Sequence, residues 1–217
     1  MNMQIRKMSA LALAAILTIT AAAGCGKKKE TEITTVSAAE SQPAKAVSVD
    51  RVDTSEEIPE LTVVVTDGTG TEQVRVPANW QYMTGKLDPS GNVDANFPIM
   101  VGDQKTNVYV ISNYESRQGA VTTLDDYSNV LVNGVSGGGV LTNVQNMGTE
   151  TMILDASHFA AKRTILYADY EGVQIEYIIY AVEGISNYYQ FDCWGYADKA
   201  RRNEELFDNI VNAFIGI

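Results

Sequence analysis

An α+β fold, one antiparallel sheet with a helix packed on each face, is predicted by three features of this sequence. Strand-length β-branched and aromatic runs recur from Leu61 onward, separated by short turns bearing Gly and Asp, and short connections force antiparallel neighbours. Two segments, one opening at Thr123 and one closing the chain, instead carry apolar residues at helical spacing. Before Leu61 neither period is sustained.

The chain begins with a targeting pattern. Arg6 and Lys7 precede an uncharged apolar run, Met8 to Ala23, that grades into small residues, as in a secretory signal peptide. Its 16 residues would span about 24 Å as a helix, short of the about 30 Å hydrocarbon core, so cleavage is expected rather than membrane crossing. The junction Ala21-Ala22-Ala23-Gly24-Cys25 resembles the lipobox of bacterial lipoproteins, with Ala22 where leucine is commonest. That resemblance implies that the Cys25 thiol takes a diacylglycerol and that Cys25 becomes the first mature residue. Two acyl chains anchor a protein where one myristoyl-sized chain would not.

Removal of residues 1–24 leaves 193, with all 27 acidic residues against 14 basic ones, a net charge near −13. So acidic a chain has no electrostatic footprint for nucleic acid. Residues 25–60 are rich in Lys, Glu, Thr, Ser, Ala, Gln and Pro, a composition that cannot bury a core, and are expected to form a disordered tether. Lys27, Lys28 and Lys29 would sit where anionic head groups attract them. Residues 61–217 are then a single domain.

Within it, Leu61 to Val65 and Gln73 to Pro77 flank Asp67-Gly68-Thr69-Gly70 and predict a first hairpin. A long loop, Gly85 to Asn96, leads through a short apolar segment to a strand at Asn107 to Ser112, apolar on both faces and therefore central. Thr123 caps a helix with Asp126 reaching back, Leu124, Tyr127 and Leu131 form its stripe, and Gly134 is its expected stop. Val140 to Val144 and Met152 to Leu154 read as two further strands. Phe159 to Ala168, Val173 to Val182 and Tyr188 to Trp194 form a meander, its first link a type I turn at Asp169-Tyr170-Glu171-Gly172. The closing helix starts near Lys199 with Asp198 as N-cap and buries Leu206, Phe207, Ile210, Val211 and Phe214.

The series Val74-Arg75-Val76-Pro77 with Trp80, Val108-Tyr109-Val110, Leu124-Asp125-Asp126-Tyr127, Ala161-Lys162-Arg163, Tyr188 to Trp194 and Ile210-Val211-Asn212-Ala213-Phe214 resembles the PsbP-like family from Leu61 to Ile217. The resemblance implies an α-β-α sandwich that binds other proteins and is not catalytic, and it transfers no site residue.

Motifs for chemistry are weak. Gly134-Val135-Ser136-Gly137-Gly138 fits G-x-S-x-G, with Asp155 and His158 following, but a nucleophile elbow needs a strand before it and a helix after, the reverse of the order here. Gly137-Gly138-Gly139 lacks the lysine of a phosphate loop. Asp88, Ser90, Asn92 and Asp94 alternate as in a calcium loop, with the glycine and final glutamate misplaced. One histidine and one cysteine beyond Cys25 leave no zinc site, and Cys193 has no disulfide partner. No metal or cofactor is expected. Arg163 and Glu176 are expected to pair diagonally across two strands.

Seven of the eleven tyrosines fall between Tyr167 and Tyr196. Alternation places Tyr188, Gln190, Asp192 and Trp194 on one side of a strand, a mixture that reads as a half-wet platform for a partner protein or a glycan. The expected function is a non-enzymatic, lipid-anchored extracytoplasmic lipoprotein of the cell membrane, serving as a binding or adaptor module for an envelope protein. A solute- or glycan-binding lipoprotein is the alternative.

Overall fold

The computed structural model describes residues 57–67, 70–82, 99–118 and 123–216. The signal segment, Cys25, the tether up to residue 56 and the loop at 85–96 lie outside the described residues. In chain order the elements are β1 (Leu61–Thr66), β2 (Glu72–Pro77), β3 (Gln81–Tyr82), β4 (Ile99–Asp103), β5 (Val108–Ser116), α1 (Leu124–Gly137), β6 (Thr142–Ile153), β7 (Ala160–Tyr170), β8 (Val173–Glu183), β9 (Asn187–Tyr196), a 3-10 turn (Ala197–Lys199), α2 (Ala200–Asn212) and β10 (Ile215–Gly216).

Two sheets result. The larger runs β3-β4-β5-β9-β8-β7-β6 and the smaller β1-β2-β10, with every neighbouring pair antiparallel. The β7-β8-β9 meander and the first hairpin are as the sequence predicts. β5 is interior, and Val108 to Ser112 is buried throughout because apolar layers cover both faces of the large sheet.

One layer is α1, whose Tyr127, Leu131 and Val135 pack on Tyr109, Ile111, Tyr177, Ile179 and Trp194. On the opposite face α2, through Leu206, Phe207, Ile210 and Val211, joins Val74 and Val76 of β2 over Val110, Ile178, Phe191 and Cys193. Cys193 is free and fully buried. Packing against this second layer already begins at Ile58.

Local details depart from the sequence reading where tertiary contacts override local signals. The region expected to form two short strands is one twelve-residue edge strand, β6. Its alternation is broken by Asn143 and Gly148 at φ 52° and 135°, beside the register irregularities against β7. α1 continues past Gly134 to Gly137, whereas its cap is as predicted: Thr123 Oγ1 accepts from Asp126 N–H at 3.1 Å and donates to Asp126 Oδ2 at 2.7 Å. The β7–β8 link is a two-residue turn with Glu171 and Gly172 both at positive φ, 50° and 82°. Those dihedrals are type I′, not type I, because the primed turn matches the twist of the strands it joins. Asp198 is not the cap of α2; it sits in the 3-10 turn, and the junction is held by Ala200 N–H to Ala197 O and by Asn203 Nδ2 to Tyr196 O at 3.1 Å.

Candidate functional site

Tyr188, Gln190, Asp192 and Trp194 do share one side of β9, but that side is not wet. All four are at most 1% exposed. The expected platform is corrected by α1, which lies over it: the Tyr127 and Tyr188 rings stack at 4.8 Å, and Trp194 is stacked between Tyr109 at 5.4 Å and Tyr177 at 5.9 Å. Gln190 and Asp192 tolerate burial by bonding each other, Gln190 Nε2 donating to Asp192 Oδ2. Burial pushes the Asp192 carboxyl up to about 7, against the opposing hydrogen bonds from Tyr177 and Gln190.

On the other face, Arg163 of β7 is a hub. Its guanidinium nitrogens lie 2.8 Å from Glu150, 3.0 Å from Glu204 and 2.9 Å from Asp208, and Asp208 also accepts from Tyr180 Oη at 2.6 Å. Glu204 and Asp208 are one helical turn apart on α2, so both reach the same cation. Burial opposes the charge on Arg163, but Tyr180, Glu204 and Asp208 outweigh it and hold its pKa above the ordinary value. The expected direct pair with Glu176 is not formed. In register Arg163 faces Tyr180 while Glu176 faces Tyr167, so the two share a face four residues apart, with Glu204 bridging them. Burial foremost, then the charge of Glu204, pushes Glu176 up to about 9.

A third buried acid, Glu72 of β2, joins the two sheets by accepting from Ser112 Oγ at 2.6 Å. Burial, less the Ser112 bond and with Asp67 adding to it, pushes Glu72 up to about 8. Each of these carboxyls keeps in the folded state a proton that the unfolded chain releases at lower pH. The folded chain therefore binds more protons between the ordinary glutamate value of 4.5 and about 8, and stability falls across that window by up to about 1.4 kcal/mol per pH unit for one such group. Glu72→Gln is expected to remove that component. Urea unfolding at pH 5 and pH 8 should show the variant gaining on wild type as pH rises, and parallel curves would count against a protonated Glu72.

The serine-hydrolase constellation is not assembled. Ser136 is exposed in the last turn of α1, whereas Asp155 and His158 lie in the β6–β7 turn, which Ala156 N–H ties to Asn212 O of α2 at 3.0 Å. Asp155 instead lines an open groove of about 730 Å³ with Ile58, Glu60, Asn209 and Asn212. Among the described residues no group of three or more His, Cys, Asp or Glu is placed to hold a metal, and no helix is long and apolar enough to cross a membrane. The calcium-like residues 88–94 lie outside the described chain.

No protein-family model and no curated protein matches the chain by sequence. By fold, cyanobacterial PsbP (CyanoP) of Synechocystis is similar over 71% of this chain and 92% of its own, at 13% identity and a TM-score of 0.52. The fold is PsbP-like. The Ran-binding protein Mog1p of Saccharomyces cerevisiae matches 72% of this chain and 96% of its own, at 9% identity and a TM-score of 0.50. LpqN, involved in cell envelope biogenesis of Mycobacterium tuberculosis, covers 66% and 81% at 12% identity with a TM-score of 0.46. The PsbP-like likeness is one of architecture, and it indicates no catalytic family.

Proposed function

We propose that this chain is a lipid-anchored extracytoplasmic protein of the cell membrane whose PsbP-like domain is a non-catalytic protein-binding module. The observation that carries the reading is the architecture shared with a Ran-binding protein across nearly all of that protein's length. The anchor rests on the lipobox-like junction at Cys25. Dual acylation there supplies roughly 0.8 kcal/mol per buried methylene, enough to retain the chain at a bilayer. The alternative of glycan binding drew on an exposed Trp194, and with that ring buried no observation favours it.

Cys25→Ala is expected to move the protein from the membrane pellet to the soluble fraction, and retention of the variant in the pellet would remove the anchor from the proposal. Affinity purification of wild type from detergent-solubilised membranes tests the module separately. Stoichiometric co-purification of a protein supports it, and recovery of bound sugar or lipid alone refutes it.

A further inference from the structure

The four outer strands of the two sheets are not equally protected. β3 and β10 offer only two residues each. β6 is long but bulged, and its Glu150 is engaged by Arg163. Short length, bulges and charge are the devices by which sheets avoid pairing with other chains. β1 carries a single irregularity against β2, at Thr62 between Leu61 and Val63, and over Val63–Thr66 it is regular and uncharged.

Two consecutive residues of β1, Val63 and Val64, are 41% and 45% exposed, though their side chains point to opposite faces. β1 is the outer strand of the small sheet, and among the described residues nothing pairs with its outer side. The residues there are Thr62-Val63-Val64-Val65-Thr66, uncharged and β-branched. They also read the same in both directions.

We propose that the outer edge of β1 is a homotypic docking surface, where the palindromic segment Thr62–Thr66 pairs antiparallel with the same segment of a second copy about a two-fold axis at Val64. The register sets Val64 opposite Val64, Val63 opposite Val65 and Thr62 opposite Thr66, which are favourable β-branched and Thr–Thr cross-strand pairs. Charge selects the same occupant. The chain carries a net charge of −11, so most other approaches between copies confront acid with acid, whereas these five residues bring no charge to the contact. Because the far side of the small sheet ends in the two-residue β10, pairing closes as a dimer, a continuous six-stranded sheet, and does not propagate into fibres. The pairing does not depend on the anchor, although confinement to a bilayer would raise the effective concentration of each copy for the other.

Cysteine cross-linking of the full-length protein in intact cells tests the register. Val64→Cys is expected to link to itself, because directly opposed residues meet the disulfide's Cα separation of about 4.4–6.8 Å. Thr62→Cys is expected to link to co-expressed Thr66→Cys but not to itself, its own copies lying about 14 Å apart along the strands. Wild type run in parallel reports any link through Cys25, Cys193 being buried, and Ile185→Cys, 76% exposed, reports random collision. Val64→Lys, on an exposed edge, should keep its thermal midpoint and lose the dimer in analytical ultracentrifugation. The proposal is overturned if Val64→Cys links no better than Ile185→Cys, if Thr62→Cys links to itself as well as to Thr66→Cys, if the link joins β1 to a different polypeptide, or if a folded Val64→Lys remains dimeric.

Discussion

Trp194→Ala is expected to lower stability by about 3–5 kcal/mol, the range for deleting a fully buried indole. The loss combines the volume removed between Tyr109 and Tyr177 with two ring stacks, in the middle of the layer that α1 covers. For a domain of this size each kcal/mol moves the thermal midpoint by about 2–4 °C, so the effect is large in a simple melt. Trp194→Phe should cost much less. Trp194 Nε1 is buried with no acceptor among the described residues, and removing it relieves a desolvated donor while most of the ring contact is kept. A variant melting like wild type but failing to bind a partner would instead return Trp194 to the surface.

Arg163→Met is the second large effect. Removing the cation leaves Glu150, Glu204 and Asp208 gathered around a point with no positive charge, beside the buried Glu176. Fully buried pairs cost about 3–5 kcal/mol when one partner is removed, and the partial exposure of these carboxylates reduces the expectation to about 2–4 kcal/mol at neutral pH. The sign of the pH dependence follows. Burial holds the Asp208 carboxyl above the ordinary aspartate value, so acid discharges it readily and the deficit relative to wild type should shrink as pH is lowered. Urea unfolding at pH 7 and pH 4 would show this, and a deficit that stays constant would mean that Arg163 contributes through the packing of its stem alone.

Much of the architecture was legible because it rests on patterns that survive without context. The stripe Leu206, Phe207, Ile210 and Val211, the cap at Thr123 and the meander through β9 all follow from local periodicity and turn chemistry. β6 was not legible, since an exposed edge strand with two positive-φ residues has neither an apolar face nor a clean alternation. β10 and β3, at two residues each, are too short to carry a period.

The candidate site failed for a different reason. Alternation correctly grouped Tyr188, Gln190, Asp192 and Trp194, but polarity is a poor guide to exposure when buried polar groups bond one another, as Gln190 and Asp192 do. Glu72 was within reach of the same logic: it shares the inward face of β2 with Val74 and Val76. The ligation of Arg163 was only half visible. Glu204 and Asp208 stand one turn apart on α2, but nothing local says which strand that helix crosses.

The placement of β1 and β10 on either side of β2 has a mechanical meaning. Leu61 lies against Pro77 at one end of β2 and Gly216 against Glu72 at the other, so traction between the two termini runs lengthwise along this small ladder, in shear. Its weakest rungs are the two of β10, which must detach before any load reaches α2 and the strands beneath it. Under such a pull β10 is therefore expected to yield first among the described elements.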